Sequence, residues 1–319
     1  MPIFKSLEEV ILTGKTAVTI GNFDGLHMGH QKLIEKTKEI SKTKNIQSVM
    51  LTFSNHPITY LFNKKVEIIM SNQKKYELAQ EMGIENIVAI QFDMDIYNMS
   101  AEEFVKNVLV SKLKVEDVIV GHDSRIGKDR TGDVDTLREL GDKYGFKVHV
   151  IEPVMMDNMR ISSSYIRTLL QHGEVDKASK FMTRPHMVRG LVVHGKKLGR
   201  TLGFPTVNIK PLDHIVLPLT GVYFTKILVG EKLYYGATNV GNNPTIKDKP
   251  FSVETHILDF DREIYDEEVT VYFLERIRDE LKFSSVEMLK KQMTLDIKKI
   301  RSKVFTSEGT CDTIETLKK

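Results

Sequence analysis

Two histidines stand three residues apart in the stretch "GNFDGLHMGH", directly after an apolar, β-branched run, Ala17, Val18, Thr19 and Ile20. The run predicts a strand, the Gly21, Asn22, Asp24 and Gly25 that break it predict a turn, and the residues beyond predict a helix. His27 and His30 then share one face of that helix's first turn. A helix start offers unpaired N–H groups and the positive end of a dipole, which suits phosphate. Beside it, two imidazoles can donate hydrogen bonds to charge developing on a phosphorus centre under attack. The competing chemistry is a metal pair, but a metal site needs three or four ligands and the nearby candidates are Asp24 and His56.

If phosphate is the target, a second phosphate-handling segment is expected, and "ISSSYIR" supplies one. Ser162, Ser163 and Ser164 fall at a predicted helix start with Arg167 about one turn on. The hydroxyls either cap the helix or bind an anion that the guanidinium also reaches. The densest text of this kind is "VVHGKKLGRTLGFPTVNI". Gly195, Gly199 and Gly203 with Lys196, Lys197 and Arg200 make a basic, glycine-rich loop, either a solvated hairpin or a wrap for polyphosphate. Pro205 fixes the backbone after it. Thr206 and Asn208, two apart on an extended segment, point to the same side as oxygen ligands for a hard cation, and magnesium fits them. Glu254 stands in the alternating run "FSVETHIL", where a carboxylate is either an ordinary solvated residue or, partly desolvated, a general base. "GKDRTGD", with Gly127 and Lys128 after Gly121, is no Walker loop, because the spacing is wrong and Asp129 takes the place of the needed Ser or Thr.

Two architectures are needed to position these groups. From Lys15 to about Ile151, short apolar runs alternate with longer helical patterns, which predicts a parallel sheet covered by helices on both faces, with ligands at the carboxyl ends of the strands. The segment "ISSSYIRTLLQHGEVDKASKFM" predicts a capped helix and a second short one. From "TRPHMVRG" to about Phe273 the runs are β-rich and separated by Gly, Pro, Asn and Asp turns, which predicts antiparallel sheet closed as a small barrel. The end, "SSVEMLKKQMTLDIKKIRSKVF", predicts an amphipathic helix packed on that barrel, with Lys298, Lys299, Arg301 and Lys303 as a solvated face. The boundary is expected between Phe181 and Pro185. The fold class is α/β followed by a closed antiparallel barrel with a C-terminal helix.

The length of 319 residues suits two such domains, and 41% hydrophobic with 28% charged residues is a globular composition. A formal charge of +3, from 46 basic and 43 acidic residues, does not call for nucleic acid. The lone Cys311 in a polar tail excludes an internal disulfide and points to a reducing compartment. No apolar run is long enough for a membrane span and no secretory pattern opens the chain, so the expectation is a cytoplasmic protein with no membrane partner.

The "GNFDGLHMGH" and "ISSSYIR" segments, with "TFSNHP" and "VGHDSRIGKDRTGD" between them, resemble the nucleotidylyltransferase superfamily. The resemblance is in particular to the adenylyltransferase module of bacterial bifunctional riboflavin kinase/FAD synthetases. The run from 188 to 283, with "PTVN", "GVY", "TNVGNNPT" and "VETHI", is similar to riboflavin kinase. This resemblance implies a Rossmann-like nucleotidylyltransferase domain over 1–183, where the phosphate of FMN attacks the α-phosphate of ATP and pyrophosphate leaves. It implies a kinase domain over 184–319 that phosphorylates riboflavin from ATP. It assigns His27 and His30 to catalysis at the ATP phosphates, and Gly21, Phe23, Asp24, Gly25, Asp123, Ser162, Ser163, Ser164 and Arg167 to binding that ATP. His56 falls on the flavin side. In the barrel it assigns Gly195, Lys196, Gly199, Arg200 and Pro205 to ATP, Thr206 and Asn208 to Mg2+, and Glu254 to taking the proton from the riboflavin 5′-hydroxyl. The chain departs from the family pattern at Asn55, before the His-Pro pair, and at Ser124 and Ile126, which stand in aromatic positions. His56, Pro57, Gly121, Asp123, Gly127 and Gly132 are kept.

The rival readings are a riboflavin kinase with a weak or lost adenylyltransferase half and a non-catalytic flavin-binding regulator. An RNA-handling protein, suggested by the H-x-G-H shared with aminoacyl-tRNA synthetases, lacks a basic stripe to support it. Oligomeric state is not legible in the sequence.

Overall fold

The computed structural model describes residues 2–55, 57–62, 66–195, 198–242 and 251–307; the expectations at His56, Lys196, Lys197 and Cys311 lie outside them. Contacts divide the chain into two compact units, Met1–Ser162 and Ser163–Lys319.

In the first unit the elements run β1 (Ile3–Phe4), β2 (Thr16–Ile20), α1 (Met28–Lys44), β3 (Gln47–Phe53), α2 (Pro57–Phe62), α3 (Asn72–Glu81) and β4 (Asn86–Ile90). There follow α4 (Met94–Asn98), α5 (Ala101–Phe104) continuing as π-type turns over Val105–Lys112, β5 (Val115–Gly121), α6 (Val134–Tyr144), β6 (Lys147–Ile151) and a small ribbon, β7 (Met155–Met156) and β8 (Met159–Arg160). The sheet order is β1-β4-β3-β2-β5-β6, every pair parallel. Alternation along each strand sends side chains to opposite faces. Val18, Val49, Leu51 and Val88 join one apolar core with Val105 and Leu137, while Ala17, Met50 and Ile87 join another with Ile34 and Leu78. Burial on both faces explains why these strands read as continuous apolar runs. After the short edge strand β1, the chain enters mid-sheet at β2, extends through β3 and β4 to one side and returns through β5 to the other, so the order reverses between β2 and β5. In sheets of this kind such a reversal is where ligands sit, at the carboxyl ends of the strands.

In the second unit, α7 (Ser163–Gln171) and α8 (Val175–Met182) precede β9 (His186–Val193), α9 (Leu198–Leu202), β10 (Val207–Pro211), β11 (Gly221–Val229), β12 (Lys232–Asn242), β13 (Phe251–Ile257), β14 (Glu268–Arg278) and α10 (Val286–Ser307). The six strands close in the order β10-β13-β12-β11-β14-β9, each pair antiparallel. Closure removes the exposed edges that so many short strands would leave. Inside, hydroxyls of Thr225, Thr238 and Thr255 bond to one another at 2.8 Å per step. Helix α10 covers the outside, with Ile300 fully buried near Phe224 and Leu258. The basic face expected to be solvated is partly paired: Arg301 forks onto Asp259 at 2.6 and 3.0 Å, and Lys303 meets Glu275 at 2.7 Å.

Helices α7 and α8 group with the barrel, ahead of the expected division at 183/184. The reason is the apolar face of α8, where Val175, Ala178, Phe181 and Met182 are buried and strands β9 and β14 lie against the helix. The Leu219 N–H also donates to Leu170 O at 3.0 Å. A chain starting at Ser163 is therefore expected to unfold in one cooperative thermal transition, whereas one starting at Arg184 leaves that apolar surface bare and melts lower or aggregates. Circular dichroism melts of the two fragments check this; equal transitions would show that the helices add nothing to the barrel.

Candidate active sites

At the carboxyl end of β2 the Gly21 N–H still bonds Leu51 O at 3.1 Å, and then the chain leaves the sheet. The turn that follows has positive φ at Phe23 (53°), Gly25 (81°) and Leu26 (39°). Glycine accepts this freely, but at Phe23 and Leu26 it costs about 1–3 kcal/mol each and persists only where the surroundings enforce it. Both side chains are wholly buried. The Leu26 N–H donates to Phe23 O at 3.1 Å, and Gln31 Nε2 donates to Leu26 O at 3.0 Å. What the turn presents at Phe23 is thus backbone.

His27 caps α1 in extended conformation, and its carbonyl takes the Gln31 N–H at 3.0 Å. The His27 and His30 rings stack 3.7 Å apart with an 18° tilt, and Phe23 lies 5.2 Å from His30. Gly29 makes this possible, since a Cβ there would sit 3.1 Å from His27 Cε1. Asp24, expected at phosphate, braces the turn: its carboxylate accepts from Ile69 N–H at 2.9 Å and Met70 N–H at 3.3 Å.

Beyond the end of β5, Asp123 accepts from Arg160 Nη2 at 2.5 Å. Burial pushes that carboxyl up, but the guanidinium outweighs it and holds Asp123 below the usual carboxylate range. The loop after it folds back so closely that a Cβ on Gly127 would come within 2.4 Å of Ala101 N, and Ile126 enters the core. The departures from the family pattern thus have local explanations: Ile126 packs, and Asn55 clamps Phe92, donating to its carbonyl at 2.8 Å and accepting its N–H at 2.7 Å. A different aromatic group stands at the ends of β3 and β4. Phe92 meets Phe53 edge-on at 5.4 Å, with Tyr60 and Tyr97 at 6.2 and 6.4 Å. The "ISSSYIR" segment straddles the division of the chain: Ser162 closes the first unit, and Ser163, Ser164 and Arg167 lie on α7 in the second.

In the barrel, register assembles the second group. Asn208 of β10 pairs with Glu254 of β13, and Glu254 in turn pairs with Asn239 of β12. Directly opposed residues share a face, so Asn208, Glu254 and Asn239 form a half-buried row on the outer surface, opposite in sense to the buried Ile209, Thr255 and Val240. The glycines of the basic loop are there for contact: a Cβ at Gly195 would fall 2.1 Å from Asn208 Nδ2, and one at Gly199 would fall 2.4 Å from Phe204 O and 3.2 Å from Thr206 Oγ1. Pro205 O accepts from His256 Nδ1 at 2.8 Å. A cavity of about 390 Å³ adjoins Thr206, walled by Val192, Arg200, Pro205, Phe260 and Tyr265. Arg200 donates to Glu263 at 2.8 Å on its rim. Among the described residues no cluster of three or more His, Cys, Asp or Glu side chains could hold a metal by itself. A cation here would rest on the neutral oxygens of Thr206 and Asn208, with substrate phosphates as its further ligands. Sequence reasoning missed Arg160, Asn239, Phe260 and Tyr265. Only strand register or loop folding brings them to these sites.

The family described as FAD synthetase matches residues 11–165, and the family described as riboflavin kinase matches residues 182–304. A bifunctional riboflavin kinase/FMN adenylyltransferase of Buchnera aphidicola is 37% identical over 295 residues, covering 91% of this chain and 94% of that protein. One of the same description from Listeria monocytogenes is 36% identical, covering 88% and 89%. A crystal structure described as a macrolide-efflux protein from Streptococcus pneumoniae superposes with a TM-score of 0.86 at 29% identity, covering 94% of this chain and 98% of that one. That description is of the streptococcal protein; among the described residues here, no helix is long and apolar enough to cross a membrane.

Proposed function

The chain belongs to the bifunctional riboflavin kinase/FMN adenylyltransferase family, and from that membership we propose that the barrel makes FMN from riboflavin and ATP. The first unit then joins FMN to AMP from a second ATP. The observation that carries the reading is the row of Asn208 and Glu254 in register beside Thr206, with glycines where side chains would block approach.

In the barrel reaction Glu254 takes the proton as the riboflavin 5′-oxygen attacks the γ-phosphorus of ATP, and ADP leaves. Gly195, Gly199 and Arg200 lie along the phosphates, and the cavity by Pro205, Phe260 and Tyr265 takes the nucleoside. Magnesium, when bound, would supply charge neutralisation at the phosphates, and Thr206 and Asn208 would hold it. In the first unit the attacking group is already an anionic phosphate oxygen of FMN, so no base is required. His27, His30 and the α1 N-terminus neutralise charge as pyrophosphate departs from the α-phosphorus. The edge-on aromatic group of Phe53, Tyr60, Phe92 and Tyr97 offers the flat apolar wall that a flavin ring needs, in place of aromatics at 124 and 126. Ser162, Ser163, Ser164 and Arg167 are assigned to ATP on the resemblance. ATP and flavins are the partners, with no nucleic acid, and ATP supply together with the single cysteine favours the cytoplasm.

Incubation of the intact chain with riboflavin, ATP and magnesium tests the proposal: FMN and then FAD are expected. FMN without FAD would favour a kinase with a lost second half, and flavin binding with no product would favour a regulator. Thr206→Ala is expected to weaken magnesium-ATP use in FMN formation, with partial recovery as magnesium is raised. A defect indifferent to magnesium would remove Thr206 from the cation site.

A further inference from the structure

Lys75, in the first turn of α3, is only 4% exposed, yet it carries a charge that neither proposed reaction uses. Its Nζ donates to Asn22 O at 3.2 Å, to Thr52 Oγ1 at 3.1 Å and to Phe53 O at 3.2 Å. An ammonium has three protons, and these oxygens take them. Two of the acceptors end β3, and the third is a carbonyl of the turn between β2 and α1. Asp24 in the same turn supplies the opposite charge. The Thr52 hydroxyl itself donates to Asn22 O, at 3.3 Å, and an aliphatic side chain could fill this place without the cost of burying an ion, so what the ammonium adds is a stronger, charged tie beside that one. What it ties is the segment whose positive φ at Phe23 and Leu26 has to be enforced from outside.

We propose that Lys75 is a positioning residue for adenylyl transfer: it clamps the Asn22 carbonyl to the end of β3 and so fixes the turn that aims His27, His30 and the α1 N-terminus. The proposal rests on reading that turn as the adenylyl-transfer site. With its protons spent on protein oxygens, Lys75 acts through the turn and not on the substrate. Drawing on the Asn22 carbonyl also polarises the Asn22–Phe23 peptide and strengthens the Phe23 N–H as a donor.

Burial lowers Lys75 to about 8, partly opposed by Asp24. The groups facing it are the Asp24 carboxylate and, on its own helix, the Tyr76 ring at 5.4 Å, whose hydroxyl burial pushes up to about 12. Thr52 and Phe53 from β3 do not titrate. Above about pH 8 the neutral amine keeps two protons for three oxygens, and one tie is lost.

The test measures FMN formation and FMN-to-FAD conversion by the full chain between about pH 6 and pH 10, for the natural chain and for Lys75→Met. In the natural chain, FAD formation should fall above about pH 8 relative to FMN formation. Lys75→Met should lower kcat for FAD formation by about 10–100-fold, the cost of misplacing reacting groups, with KM changed less and the alkaline limb gone. FMN formation should be unchanged. A variant with kcat within about threefold of the natural chain, or one that keeps the alkaline limb, overturns the proposal. Should the variant lose FMN formation too, it has misfolded, and the natural chain's own alkaline limb decides by its presence or absence. A natural chain that makes no FAD overturns the reading of the site and the role of Lys75 with it. FAD made equally well without Lys75 overturns the second alone.

Discussion

Glu254→Gln should form FMN about 10²–10⁴-fold more slowly than the natural chain, the usual loss when a general base is removed. The substitution keeps size and hydrogen-bonding capacity, so the strand pairing that sets Glu254 between Asn208 and Asn239 should survive it. What it removes is the ability to accept a proton from a hydroxyl that is a poor nucleophile while protonated. The variant should still bind ATP and still make FAD when supplied with FMN, because that reaction is assigned to the other unit. Rates of each half-reaction, measured separately by product chromatography, give the answer. A loss of FMN formation below about threefold would return Glu254 to the class of solvated strand carboxylates.

Replacing His27 and His30 together with Ala is expected to act in the opposite sense. Donors aimed at a developing oxyanion contribute about 2.7–4 kcal/mol each in comparable sites, or about 10²–10³-fold in rate per donor. Because the rings stack on each other, the two losses are not expected to add. FAD formation from FMN should therefore fall by at least about 10²-fold, while riboflavin is still converted to FMN at close to the normal rate. The pair sits on the first turn of α1, and its removal leaves intact the Leu33 and Ile34 contacts that dock the helix. Thermal unfolding should accordingly show a folded protein. If this variant loses both activities while folded, the two reactions share machinery and their assignment to separate units is wrong.

Local order in the chain determined the elements. The glycine break after Ile20, the paired histidines at helical spacing and the alternation around Glu254 depend on neighbours a few residues away, and periodicity reports such neighbours directly. For the same reason the parallel and antiparallel halves were legible: a strand buried on two faces reads as a continuous apolar run, whereas one in a small barrel reads as alternation between turns. The short strand β1 escaped this reading, because two residues carry no period.

Tertiary structure decided what depends on register and on close approach. Asn239 stands beside Glu254 only because β12 pairs with β13 at that offset, and a slip of one residue would have turned it to the other face. Asp24, expected near phosphate, also braces Ile69 and Met70, partners distant in sequence that no local pattern names. Gly195 and Gly199 were legible as part of a basic, glycine-rich loop, but only the fold shows how closely their backbone approaches Asn208 and Phe204. Helix α8 carries an apolar face in the sequence, but nothing in its periodicity names the partner, and the barrel strands β9 and β14 supplied it, with α7 packed on α8. Lys75 was one lysine among several in a helical pattern until three oxygens from the turn and β3 closed around it. Sequence fixes which face of an element is apolar or charged; which distant atoms meet that face is settled only when the chain closes on itself.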